Sequence, residues 1–143
     1  MLRSLVIAAA VLLSANQVLA HGSESSAPPP PKKGLSGAPA NVVQTDKGAM
    51  LVDMKGMTLY YFDRDDSGNK SNCNGQCTER WAPLAASVDS QPTGDFTVIT
   101  RDDGSRMWAY RYRPLYTSET DKAPGEANGA AAFEQWHIAR PAY

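Results

Sequence analysis

The chain has 143 residues, with 14 Lys plus Arg set against 15 Asp plus Glu and a formal net charge of −1. That near-balance gives no electrostatic case for nucleic acid or an acidic membrane surface as a partner. At this length one ordinary hydrophobic core is expected, and two are not.

The first twenty residues read as an export signal. Arg3 gives a positive start, Leu5 to Leu13 is an unbroken apolar run, and Val18-Leu19-Ala20 offers small residues for cleavage near Ala20. So short a run falls well below the thickness of a hydrocarbon core, about 30 Å, so no transmembrane anchor is expected. The two cysteines are Cys73 and Cys77, so none follows the apolar run to carry a lipid. The expected product is an exported protein, periplasmic or extracellular, that begins at His21 and stays monomeric.

Residues 21–41 are rich in Ser, Pro, Gly and Lys and read as a disordered linker with an extended Pro28–Pro31 segment. Residues 42–143 are expected to form a single β-rich domain. Ala49–Met54 and Met57–Phe62 flank Lys55-Gly56 and predict a hairpin. Phe96–Thr100 and Arg106–Tyr112 flank Asp102-Asp103-Gly104 and predict a second. On that return strand Trp108, Tyr110 and Tyr112 share one face, which is either a core face or a stacking surface for a sugar or flat cofactor. Short helical segments are expected over Cys77–Trp81 and Gly129–His137.

An internal duplication organises these elements. Leu59-Tyr60, Asp65 and Trp81 recur as Leu115-Tyr116, Asp121 and Trp136, and the Leu, Tyr and Asp pairs are all 56 residues apart. A fixed period of this size indicates two copies of one supersecondary unit, about 48–84 and 96–140. The predicted fold is mainly β: two pseudosymmetric repeats of antiparallel hairpin, loop and short helix, forming one small sheet or sandwich.

Tyr60-x-Phe62-x-x-Asp65, Gly56-Met57-Thr58-Leu59-Tyr60, Cys73-x3-Cys77, Trp81-Ala82-Pro83-Leu84 and Asp103-Gly104 before Pro114-Leu115-Tyr116 together resemble a family of bacterial exported proteins, the secreted repeat of unknown function with a Y-x-[FWY]-x-x-D motif. Many of its relatives are predicted lipoproteins. The second copy departs from the motif, with Ser118 in place of the aromatic. The resemblance implies no particular reaction.

Several residues are candidates for chemistry. In an exported chain the cysteine pair reads first as a disulfide, with a metal pair or redox dithiol as alternatives. Asp63, Asp65, Ser67 and Asn69 carry oxygens at the spacing of the front half of a calcium loop, but Asn74 stands where a bidentate carboxylate belongs. His21, as a new N-terminus, could chelate copper with its own amine, joined by His137. Asp65 and Asp121 are expected to lock turns by accepting loop N–H groups or the Tyr hydroxyl. Trp81 and Trp136 read as equivalent core plugs.

No nucleophile with an adjacent base and no phosphate-cradling glycine loop is visible. The expected function is therefore a non-catalytic exported binding or interaction module for an unidentified protein or small molecule, without nucleic acid. The alternative is a metal-binding protein using the Asp63–Asn69 loop for calcium or His21 for copper. The shared residues read as scaffold, which directs the search for a ligand to features that copy one has alone.

Overall fold

Short β-branched and aromatic runs, broken every few residues by Gly, Pro or Asp, fold into antiparallel pairs. The computed structural model describes residues 37–65 and 70–142. The export signal, His21, most of the expected linker, Ser67 and Asn69 lie outside the described residues.

The first copy opens with a hairpin of β1 (Asn41–Thr45) and β2 (Gly48–Val52), registered from Asn41↔Val52 to Thr45↔Gly48. There follow β3 (Tyr60–Phe62), one helical turn α1 (Cys77–Arg80) and β4 (Trp81–Pro83). The second copy repeats the order with β5 (Phe96–Thr100), β6 (Arg106–Tyr110), β7 (Arg113–Pro114), β8 (Tyr116–Ser118), the turn α2 (Gly129–Ala132) and β9 (Trp136–Ile138).

The two halves exchange strands. The central sheet has the order β4-β8-β3-β9, so the Trp strand of each copy lies on the Leu-Tyr strand of the other. Trp81 is opposite Ser118, and Trp136 is opposite Phe62, the residue that Ser118 replaces in the repeat. At the centre Tyr60 pairs with Tyr116, so a pseudo-two-fold axis passes between the two tyrosines.

The backbone keeps that symmetry beyond the sheet. Leu51 N–H donates to Ala139 O, Ala139 N–H to Leu59 O and Leu59 N–H to Leu51 O, closing a three-residue ring. Trp108, Leu84 and Leu115 close the equivalent ring in the other half. In both rings two residues come from one copy and the third from the other.

The core is likewise shared. One buried cluster gathers Tyr60, Cys73, Trp81, Ile99, Met107, Ala109, Tyr116 and Trp136; a second gathers Ala40, Leu51, Leu59, Phe96, Trp108, Leu115 and Ala139. Adjacent residues of β6 thus face opposite clusters, with Met107 and Ala109 in one and Trp108 in the other. Both faces of β6 are buried, which is why this strand lacks a polar alternation.

Three sequence expectations change. The ladder partner of β2 is β1, not the Met57–Phe62 run. Residues 53–57 do turn back, with Asp53 Oδ1 accepting N–H bonds from Lys55 and Met57, but only Val52↔Thr58 bridges before the chain leaves for the central sheet. Gly56 makes this turn at φ +85°, with Pro124 packed where a Cβ would stand. The helical segments are single turns, and Trp81 and Trp136 begin strands instead of lying within helices. Finally, β6 stops at Tyr110. Arg111 and Tyr112 adopt φ +47° and +67° in a two-residue turn into β7, so Tyr112 is exposed and leaves the face of Trp108.

Candidate functional site

The motif residues meet at the pseudo-two-fold axis. Tyr60 donates its phenol proton to Asp121 Oδ2 at 2.7 Å, and Tyr116 donates to Asp65 Oδ2 at 2.8 Å. Each Asp uses its other oxygen to hold the loop of its own copy: Asn72 N–H reaches Asp65 Oδ1 at 2.7 Å, and Asn128 N–H reaches Asp121 Oδ1 at 2.8 Å. With its one proton spent, each phenol oxygen can only accept. Tyr60 accepts from Gly129 N–H at 3.2 Å, and Tyr116 from the Ser71 hydroxyl at 2.7 Å.

Burial and the Asp121 carboxylate hold the Tyr60 phenol well above its usual range, and burial does the same for Tyr116. Burial also raises Asp65, against the opposing pull of Asn72 N–H, the Tyr116 hydroxyl and the positive charge of Arg101. Arg101 has no counterpart among the sequence candidates. Buried behind this network, it donates to Ser71 Oγ at 2.8 Å and to Cys73 O at 2.8 Å. Its Nε also lies 3.8 Å from Asp103 Oδ1, two residues on, but the buried acceptors that set its role lie about thirty residues away.

Trp81 and Trp136 stack on each other at 3.7 Å with planes 4° apart. Phe62 stacks on Trp136 at 4.4 Å, whereas Trp81 meets Ser118, Gly129 and the edge of Phe133. The Tyr, Asp and Trp signature is therefore the seam between the copies. Cys73 and Cys77 form a disulfide with Cα atoms 5.3 Å apart, closing the turn before α1. Asp63 and Asp65 diverge. Asp63 Oδ2 contacts His137 Nε2 at 2.8 Å, while the two oxygens of Asp65 are taken by Asn72 N–H and the Tyr116 hydroxyl. Among the described residues no three His, Cys, Asp or Glu side chains converge as a metal site.

A different feature has the chemistry of a recognition surface. A groove of about 610 Å³ opens beside the central sheet, lined by Tyr61, Tyr110, Arg111, Arg113, Leu115, Ala130, His137, Ile138, Ala139, Arg140 and Ala142. Pairing of Tyr61 with His137 across β3 and β9 brings their rings to 5.1 Å. The Arg111-Tyr112 turn and β7 carry Arg113 over the Tyr61 ring at 4.4 Å. Arg140 reaches back to Ala49 O at 3.0 Å. The apolar part of the wall comes from half-buried Ile138 and the rings of Tyr61 and Tyr110, backed by buried Leu115 and Ala139. Only Tyr61 comes from the first copy, so this groove belongs mainly to the second copy and not to features unique to the first.

A family model described as a secreted repeat of unknown function matches the chain twice, over residues 41–85 and 97–140. Each match runs from a hairpin to the residues after a Trp strand. No curated protein and no solved structure matches the chain. Among the described residues no helix is long and apolar enough to cross a membrane.

Proposed function

The chain belongs to this family of secreted repeats, and from that premise we propose that it is an exported, non-catalytic module that binds its ligand in the groove between Tyr61, Arg113, His137 and Arg140. The observation that carries this reading is the combination found there. Its volume of about 610 Å³ is within the range of small-molecule sites, and its lining combines apolar and aromatic side chains with a few polar ones. The seam, by contrast, has its hydrogen-bonding groups satisfied internally. It supports a scaffold role for the family motif.

The groove's own side chains support a binding role without catalysis. His137 is the imidazole of the groove, and it is bonded to Asp63; among the described residues no Ser, Thr or Cys hydrogen-bonds to its ring. Cleavage near Ala20 would deliver this module beyond the cytoplasm as a free protein.

The test is an amide-resolved NMR titration of the purified protein with a panel of neutral, cationic and anionic small molecules and oligosaccharides. Saturable shifts confined to Tyr61, Arg111–Arg113 and His137–Arg140 are expected for at least one of them. A panel without any such ligand, or one whose ligands all map elsewhere, would overturn the reading.

A further inference from the structure

We propose that the ligand of this groove, taking the binding reading above as given, is an organic anion: a carboxylate or phosphate ester carried on an apolar body. The charge of the lining points there. Three arginines, Arg111, Arg113 and Arg140, line the groove, and among the described residues no Asp or Glu does, in a chain whose overall charge is −1. Such a local excess of one sign on a nearly neutral protein concentrates ligands of the opposite sign.

The guanidiniums differ in how far they are already engaged. Arg111 Nε lies 3.5 Å from Asp95 Oδ2, and His137 is occupied by Asp63. Among the described residues Arg113 and Arg140 make no ion pair. Arg113 is held by its stacking on Tyr61 and Arg140 by one bond to Ala49 O, which fixes both groups while leaving donors unspent. A planar fork positioned this way matches the two oxygens of a carboxylate or phosphate better than a point charge would.

The body of the ligand follows from the apolar part of the wall. Half-buried Ile138 and the rings of Tyr61 and Tyr110 offer apolar surface among the same lining residues as the two arginines. A bare inorganic anion would leave that surface wet, and a neutral apolar molecule would leave the guanidiniums without a partner. An anion with an apolar body satisfies both.

The experiment compares benzoate and phenyl phosphate with inorganic phosphate, benzyl alcohol and benzylamine, titrated into the full protein and followed at the groove amides. At least one of the first two should bind tenfold or more tightly than each of the other three, and the affinity should fall as salt rises. A preference for benzoate identifies a carboxylate source and a preference for phenyl phosphate a phosphate-ester source; either supports the proposal. Arg113→Gln should weaken binding at least tenfold, and Arg113→Lys should recover only part of it. Folding of each variant is checked by its spectrum outside the groove. Benzyl alcohol or benzylamine binding as tightly as benzoate would overturn the anion assignment while leaving the groove as a binding site. An affinity unchanged in Arg113→Gln would also overturn it. If none of the five probes shifts the groove amides, the anion assignment falls, and the wider panel then decides whether the groove binds anything.

Discussion

The phenol of Tyr60 is bonded not to Asp65, five residues on in its own motif, but to Asp121 in the other copy, 61 residues away. Tyr116 and Asp65 complete the exchange. Two charge-assisted hydrogen bonds, one buried and one partly buried, thus cross the pseudo-two-fold axis in opposite directions, and each repeat supplies what the other lacks. This crossing gives the Y-x-[FWY]-x-x-D spacing a physical meaning. Tyr must sit on the central strand, and Asp must lie far enough beyond it to hold the loop and still reach over the axis.

Tyr60→Phe should therefore destabilise the protein by about 1.5–3 kcal/mol, the range for a hydrogen bond to a charged group. It strips Asp121 Oδ2 of its donor and leaves Gly129 N–H unpaired. In a double-mutant cycle read by urea denaturation, Tyr60→Phe should couple to Asp121→Ala by 0.5 kcal/mol or more, whereas Tyr60→Phe with Asp65→Ala should be close to additive. Coupling within a repeat and not across it would contradict the exchanged arrangement.

The pH dependence follows from the same groups. Burial raises Asp65 above its ordinary 3.8, so the folded state holds that proton more tightly than the unfolded chain does. Its contribution is fully present below pH about 4 and is lost as pH rises through the folded value. Asp65→Asn removes the titration, so the stability difference between variant and parent should move in favour of the variant between pH 3.5 and pH 7. Tyr60 and Tyr116, also raised, act at the other end. Unfolded tyrosines ionise near pH 10 while these two stay protonated, so stability should fall above that pH and fall less steeply in Tyr60→Phe. Urea midpoints measured across pH check both directions.

Gly129→Ala reverses the usual sign of a glycine replacement in a helix. Alanine is ordinarily favoured there by about 0.5–1 kcal/mol. Here a Cβ would stand 2.7 Å from Trp81 Cη2 and 3.0 Å from Ser118 Cβ, beneath the stacked indoles. Overpacking of this kind costs about 1–3 kcal/mol, so the variant should be less stable and its tryptophan fluorescence altered. A gain in urea midpoint would show that the indole pair yields more easily than its stacking implies.

How much of this was legible in sequence depended on the range of the interactions. The 56-residue offset of Leu, Tyr and Asp was sufficient to identify two copies, Trp81 and Trp136 follow at an offset of 55, and the β-branched and aromatic runs around turns gave the mainly β character. The Asp-Gly hairpin at β5-β6 is a local signal and was readable for that reason. The pairing of β1 with β2 was missed because Asp53 and Gly56 mark a real turn, one that tertiary contacts do not extend into a ladder. The exchange between copies was hidden in principle, since a repeat pattern shows what two units share and not which unit each contact serves. Arg101 and Arg140 gave no sequence signal, and strand alternation gave Arg113 only a solvated face, because Ser71 and Cys73, Ala49 and Tyr61 reach them from distant parts of the chain.

Arg101→Met tests the support behind the seam. Its loss leaves Ser71 Oγ and Cys73 O without their buried donor, at about 1–3 kcal/mol for each acceptor left unsatisfied. Arg101→Lys should be intermediate, because a single ammonium lacks the fork that spans both acceptors. The Cys73→Ser, Cys77→Ser pair should cost about 2 kcal/mol by freeing a short loop, and its effect should be less than additive with Arg101→Met because Cys73 O is common to both. Strict additivity in denaturation would separate the arginine from the disulfide loop.

The strand exchange leads to a last expectation, that neither repeat folds without the other. Residues 41–85 alone would keep the β1-β2 hairpin, but a two-stranded ribbon is marginal in water. Their β3 would lose both neighbours, β8 and β9, and β4 would lose β8. Trp81 would lose the Trp136 face that covers it. Pairing with a second copy of itself is no remedy. Such a dimer would oppose Trp81 with Phe62, where the native fold opposes it with Ser118, and would set Cys73, the counterpart of Gly129, against the indole that needs the room of a glycine. Expressed separately, 41–85 and 97–140 should each give an unfolded circular dichroism spectrum, and an equimolar mixture should regain β structure and elute at the summed mass. A fragment that folds alone, or that dimerises with itself as stably as it pairs with its partner, would show that the divergence of the two copies is not what holds them together.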